Sequence, residues 1–151
     1  MRRLSANQTV WVKQVAARMP FYRFMGIRLT KLGRGCAEIR MSVGTGLTQL
    51  AGFAHGGVSA SLIDSAVGLA LCTMVDRRSA ITTIDLQVNY LAPAKPGSLI
   101  ARGRVVHKGR RTAVGDCEVV DDGGNLVSKG TATYLILENR KLDPIHSQRL
   151  T

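Results

Sequence analysis

Apolar and polar positions run along this chain in two rhythms, and the changes between them mark its elements. Between residues 8 and 19, Trp11, Val12, Val15, Ala16 and Met19 fall on one stripe at helical spacing, and Pro20 closes the run. Phe21 to Gly26 reads as an aromatic link. From 36 to 43 the period drops to two: Ala37, Ile39, Met41 and Val43 alternate with Glu38, Arg40 and Ser42, a strand with one dry face. Residues 44–54, with Gly44, Gly46 and Gly52, read as loop. The stretch GGVSASLIDSAVGLALCTMV (56–75) carries one charge, Asp64, and predicts a long helix that is apolar nearly all round.

After Asp76-Arg77-Arg78 the period returns to two. Ile84, Leu86, Val88 and Tyr90 alternate with Asp85, Gln87 and Asn89, and Pro93 and Pro96-Gly97 then turn the chain. Residues 98–107 and 111–120 read as strands joined at His107-Lys108-Gly109-Arg110. Asp121-Asp122-Gly123-Gly124 makes the next turn, and 126–137 the last strand. The order is helix, strand, buried helix, then four consecutive strands, an α+β chain. The four strands predict an antiparallel meander whose apolar face must cover something, and only the 56–75 helix is apolar enough. The expected architecture is therefore an antiparallel sheet curled around one long buried helix. It occupies 25–138, with a helix and link over 1–24 and a polar tail over 139–151.

Composition narrows the function classes. Lys and Arg number 21 against 10 Asp and Glu, a formal charge of +11, yet no block reaches five consecutive basic residues. The few aromatics are not interleaved with the basic clusters, so no nucleic-acid partner is expected. Residues 1–37 hold no acid, a transit-peptide-like composition, but the helical stripe inside them belongs to the fold and no secretory apolar core follows Arg2-Arg3. Cys36, Cys72 and Cys117 lie far apart and are odd in number, which suits reduced thiols and a cytoplasmic location. His55, His107 and His146 are too scattered for a metal set. The 56–75 run is near membrane-spanning length. Asp64 at its middle, Ser59, Ser61 and Ser65, and the lack of a second such run favour a buried helix over a membrane span.

Asp64 is the informative residue. An ionised carboxylate in an apolar helix costs several kcal/mol unless it is paired, so a packing role alone would favour an aliphatic side chain. A hydrogen bond to a nearby serine, or a place in a subunit interface, would also account for it. At the helix start, His55-Gly56-Gly57 exposes unpaired backbone N–H groups at the positive end of the dipole, with no side chains to block an approaching ligand. Such donors can hold a developing oxyanion. Asp64 lies eight residues beyond Gly56, about 12 Å along a helix, too far for one pocket in one subunit. A site shared between two subunits satisfies both.

These residues carry a resemblance. The stretch AHGGVSASLIDSAVGLA resembles the signature of hotdog-fold acyl-CoA thioesterases of the phenylacetate-pathway and 4-hydroxybenzoyl-CoA type, and TTIDLQVNYLAPAKPG is similar to their next strand and loop. The match runs from about Met25 to Leu137. It implies a hotdog fold and hydrolysis of an acyl-CoA, with no cofactor and no metal. Asp64 would be nucleophile or general base, and the Gly56 N–H would polarise the thioester carbonyl. His55 would help position that carbonyl or the loop before it, Gln49 would orient the carbonyl or the water, and Thr83 would hold the attacking water. Gln49, His55 and Gly56 would come from one subunit and Asp64 and Thr83 from the other, in a homodimer or a tetramer of two dimers. Gly68, one turn past Asp64, lacks the hydroxyl that some relatives carry there. Arg102, Arg104, Lys108, Arg110 and Arg111 are the candidate contacts to the phosphates of CoA. The alternative is a hotdog protein that binds acyl-CoA without turnover.

Overall fold

A computed structural model describes residues 4–138. The chain opens with α1 (Ala6–Arg18), whose N-terminus is capped by the Ser5 hydroxyl accepting from the Gln8 N–H at 3.2 Å. Pro20 ends that helix but opens another. Its missing N–H costs nothing in a first turn, so Pro20–Met25 forms α2 where the pattern suggested only a link. Gly26, at φ 72°, ends α2 in the left-handed conformation. Val12 and Tyr22 fix the two helices to the core, and Gln8 reaches across to donate to the carbonyls of Cys72 and Val75 at 2.7 and 3.0 Å.

Six strands follow: β1 (Arg28–Gly33), β2 (Cys36–Val43), β3 (Ala80–Tyr90), β4 (Gly97–Lys108), β5 (Thr112–Val120) and β6 (Leu126–Leu137), with α3 (Gly56–Cys72) between β2 and β3. They form one antiparallel sheet in the order β1-β2-β4-β5-β6-β3. The pattern does not reveal β1, because its Leu29 and Leu32 are three apart and the strand lies at the edge, paired among the described residues only with β2. Nor do the last four strands make a simple meander. β4, β5 and β6 do, but β3 leaves for the far edge beside β6, and β2 takes the place next to β4. Residues 91–96 carry the chain between them, pinned where Leu91 and Ala92 donate to the Val127 carbonyl and Ala54 donates to that of Ala94.

This order lets the sheet wrap α3 from β2 to β3. Leu62, Ile63, Leu69 and Leu71 of the helix are fully buried against Ile39, Met41, Leu99 and Val119. Two glycines set the distance. A Cβ on Gly103 would sit 2.5 Å from the Ala66 carbonyl carbon, and one on Gly115 would overlap Val67. The helix ends at Cys72, three residues earlier than its apolar pattern suggested. There Thr73 turns back, its hydroxyl donating to the Ala70 carbonyl and accepting from the Gly35 N–H, both at 2.6 Å. At 17 residues, α3 is not a candidate membrane span, and no helix among the described residues is long and apolar enough to cross a membrane. The 139–151 tail and His146 lie outside the described residues.

Candidate active site

Asp64 sits midway along α3, half-buried, on the side that meets the β6–β3 edge of the sheet. Its Oδ1 accepts two hydroxyl hydrogen bonds: Thr83 Oγ1 of β3 at 2.8 Å and Tyr134 Oη of β6 at 2.7 Å. The same phenol lies 2.5 Å from the main-chain oxygen of Asp64. Oδ2 accepts nothing from the described residues, and it is not among the buried unpartnered atoms, so it faces solvent. The arrangement leaves one carboxylate oxygen held and one available.

A bulge delivers Thr83 to this place. Thr83 pairs with Tyr134, but the register shifts before Asp85, which pairs with Thr133. Paired residues share a face, so Thr83 joins the inward Tyr134, while Leu86 and Val88 pair with the inward Ala132 and Gly130. Ile84 is the extra residue, 56% exposed, rather than a member of the dry face that its alternation with Leu86 and Val88 suggested. No motif in the sequence marks Tyr134. The available signal was its inward position between Ala132 and Ile136, where a buried phenol needs a partner. Burial first, then the charge of Asp64, raise its ionisation far above the ordinary range, so it remains a neutral donor.

The other group of residues gathers at the start of α3. His55 is the N-cap, its Nδ1 accepting from the Gly57 N–H at 3.0 Å, which places the proton of the neutral ring on Nε2. The Gly56 N–H has no acceptor among the described residues, while the Gly56 carbonyl accepts from the Tyr90 hydroxyl at 3.1 Å. Gln49 braces its own turn, Oε1 accepting from the Ala51 N–H at 2.5 Å. Gln49 and Gly56 line one cavity of about 360 Å³, with Phe53, Tyr90, Leu91 and Pro93 among its walls. The candidate residues thus fall into two groups, Asp64 with Thr83 and Gln49 with His55 and Gly56. Two turns of α3 keep them apart within one subunit.

The five candidate phosphate ligands divide. Arg102 and Arg104 point away from the helix on the outer face of the sheet and are already engaged. Arg102 donates to Glu38 at 3.0 Å, and Arg104 holds Asp116 through two bonds of 2.7 and 2.8 Å. Lys108, Arg110 and Arg111 lie at the β4–β5 hairpin and make no ion pair with the described residues. That hairpin begins just past the row where Ala113, Tyr134 and Thr83 pair across three strands.

The sequence pattern of the thioesterase superfamily matches residues 51–128, which take in Gly56, Asp64 and Thr83. The chain belongs to the thioesterase superfamily. A thioesterase family protein from Silicibacter pomeroyi superposes with a TM-score of 0.82 at 30% identity, over 87% of this chain and 98% of that one. A protein named as an esterase in Saccharolobus solfataricus is 30% identical over 125 residues, 83% of either chain. The medium/long-chain acyl-CoA thioesterase YigI of Salmonella typhimurium is 29% identical, over 78% of this chain and 86% of its own. This thioesterase has the hotdog fold, an antiparallel sheet wrapped round one helix, and is a thioester hydrolase.

Proposed function

We propose that this thioesterase hydrolyses acyl-CoA to the free acid and CoA at a site shared by two copies of the chain, Asp64 and Thr83 from one and Gln49, His55 and Gly56 from the other. The observation that carries the reading is the Asp64 carboxylate, with one oxygen held by two hydroxyls and the other open. The acyl-CoA thioesterase relative supports the substrate class. The free Gly56 N–H at a helix N-terminus is a suitable donor to the thioester oxygen as it becomes an oxyanion. Asp64 Oδ2 either attacks the carbonyl carbon or takes a proton from the attacking water. In the first case the C–S bond breaks to give an acyl–Asp64 anhydride and a CoA thiolate that takes a proton from solvent, and a water then cleaves the anhydride to the free acid and free Asp64. In the second the C–S bond breaks as the proton held by Asp64 passes to the departing CoA sulfur.

The second copy is supported by β3. Among the described residues only one of its edges is paired, and Ile84, Leu86, Tyr90 and Leu91 stand exposed along and just after it. An eleven-residue open edge of this kind calls for a cover. Two copies joined there antiparallel would bring the half-sites together, and such dimers can pair again as a tetramer. Lys108, Arg110 and Arg111 are the cations open to the CoA phosphates, whereas Arg102 and Arg104 would first have to leave Glu38 and Asp116.

Release of CoA thiol from a panel of acyl-CoAs tests the reading. Turnover of at least one member by the wild type, and its loss in Asp64→Ala, is the expected result. An Asp64→Ala enzyme as fast as wild type sinks the mechanism. Tight CoA binding with no thiol released over hours would make the chain a binding protein instead.

A further inference from the structure

We propose that Tyr134 is a positioning residue for this hydrolysis, its phenol supplying from β6 the hydroxyl that α3 lacks at Gly68 and so holding the Asp64 carboxylate in its working orientation. The inference rests on Asp64 being the reacting acid. Three observations carry it. Tyr134 Oη contacts residue 64 twice, at the side-chain Oδ1 (2.7 Å) and at the main-chain oxygen (2.5 Å). The phenol's single O–H is shared between the two oxygens, so it bridges the carboxylate and its own backbone, which the Thr83 bond does not. Gly68 supplies the room. A Cβ there would stand 3.1 Å from Tyr134 Oη and 3.6 Å from Cζ, so any side chain at 68 would crowd the phenol. Finally, Tyr134 is 4% exposed and enclosed between β5, β3 and α3, so its hydroxyl has little freedom to point elsewhere.

A carboxylate on a short side chain turns about two torsions. Two donors on Oδ1 settle both and leave Oδ2 aimed outward, which is the orientation cost a catalytic acid must avoid during turnover. Tyr134 does not reach the free oxygen, so it acts through Asp64 rather than on substrate. A serine at 68 would do the same work from the helix, because side chains one turn apart on a helix are neighbours and its hydroxyl would lie beside the Asp64 carboxylate.

The test measures kcat and KM, with thermal melting, on the acyl-CoA turned over fastest by the wild type. Tyr134→Phe is expected to lower kcat about 10- to 100-fold, the range for a hydrogen bond to a charged group, with KM within about twofold. Gly68→Ala, with Tyr134 intact, should lower kcat as well by pushing the phenol aside. Adding Gly68→Ser to Tyr134→Phe should recover about tenfold, whereas adding Gly68→Ala should recover nothing. Wild-type kcat in Tyr134→Phe, a loss carried by KM alone, or equal recovery by serine and alanine overturns the proposal. Asp64→Asn, measured beside them, separates the two claims. If it retains activity, the acid itself was misassigned. If it is inactive while Tyr134→Phe is fast, only the positioning role falls.

Discussion

Thr83 and Asp64, nineteen positions apart and on different elements, meet at 2.8 Å because β3 carries one extra residue at Ile84. Without that bulge, the inward position of Leu86 would put residues 84 and 82 on the helix side and turn Thr83 outward. Thr83→Val should therefore lower kcat about tenfold through the lost hydroxyl, while Thr83→Ser keeps most of it. Stability should move by less than about 1 kcal/mol, since Thr83 is exposed in the single chain. Steady-state kinetics beside a denaturant melt checks both.

His55 has a structural duty as the cap of α3 in addition to any part in turnover. His55→Ala should cost about 1 kcal/mol in urea unfolding, and His55→Asn, which can cap, should restore that stability. Activity that follows stability through the series assigns His55 to the cap alone. Activity lost in both variants assigns the ring to the reaction.

A shared site makes a sharp prediction for mixtures. Gln49→Ala and Asp64→Ala chains, each inactive alone, should regain activity when unfolded together and refolded. Half of the dimers would then be mixed, with one intact site each, giving about a quarter of wild-type activity. No recovery on mixing would place all catalytic groups within one subunit. Ile84→Lys, a charge on the open edge, should shift the sedimentation profile to monomer and abolish turnover.

The outer face sets an acid limit on stability. Hydrogen bonding from Arg104 holds the Asp116 carboxyl below its ordinary 3.8. A carboxyl lowered in the folded state adds stability above its unfolded value of about 4, and that stability is lost as pH falls through the lower folded value. Melting temperature should therefore drop on acidification below about pH 4, and Asp116→Asn should flatten that part of the curve. Thermal melts from neutral to about pH 3 would show it.

Much of the fold was legible before any coordinates. The alternation of Ala37, Ile39, Met41 and Val43 marked β2, and all four are buried. The turns at 107–110 and 121–124 join the strands that their residues suggested. What local pattern could not carry was pairing between distant strands. β1 has too weak a rhythm, and nothing in residues 91–96 states that the chain crosses to the other end of the sheet. Phe21 to Gly26 reads as a link although it is helical, because a proline that closes one helix is equally at home in the first turn of the next.

Residue order by itself determined that a helix too apolar for water would lie inside an antiparallel sheet, with an acid at its middle and bare amides at its start. Those are consequences of periodicity, charge and the absence of side chains at Gly56 and Gly57, all local properties. Only the tertiary structure decided which hydroxyls meet Asp64 and which arginines are already spent on carboxylates. The bulge that reverses Thr83, the space above Gly68 that admits Tyr134, and the placement of β3 at the far edge each depend on strands far apart in the chain. Hydrogen bonds between side chains respond to tenths of an ångström, and the closure of the sheet around α3 sets those distances.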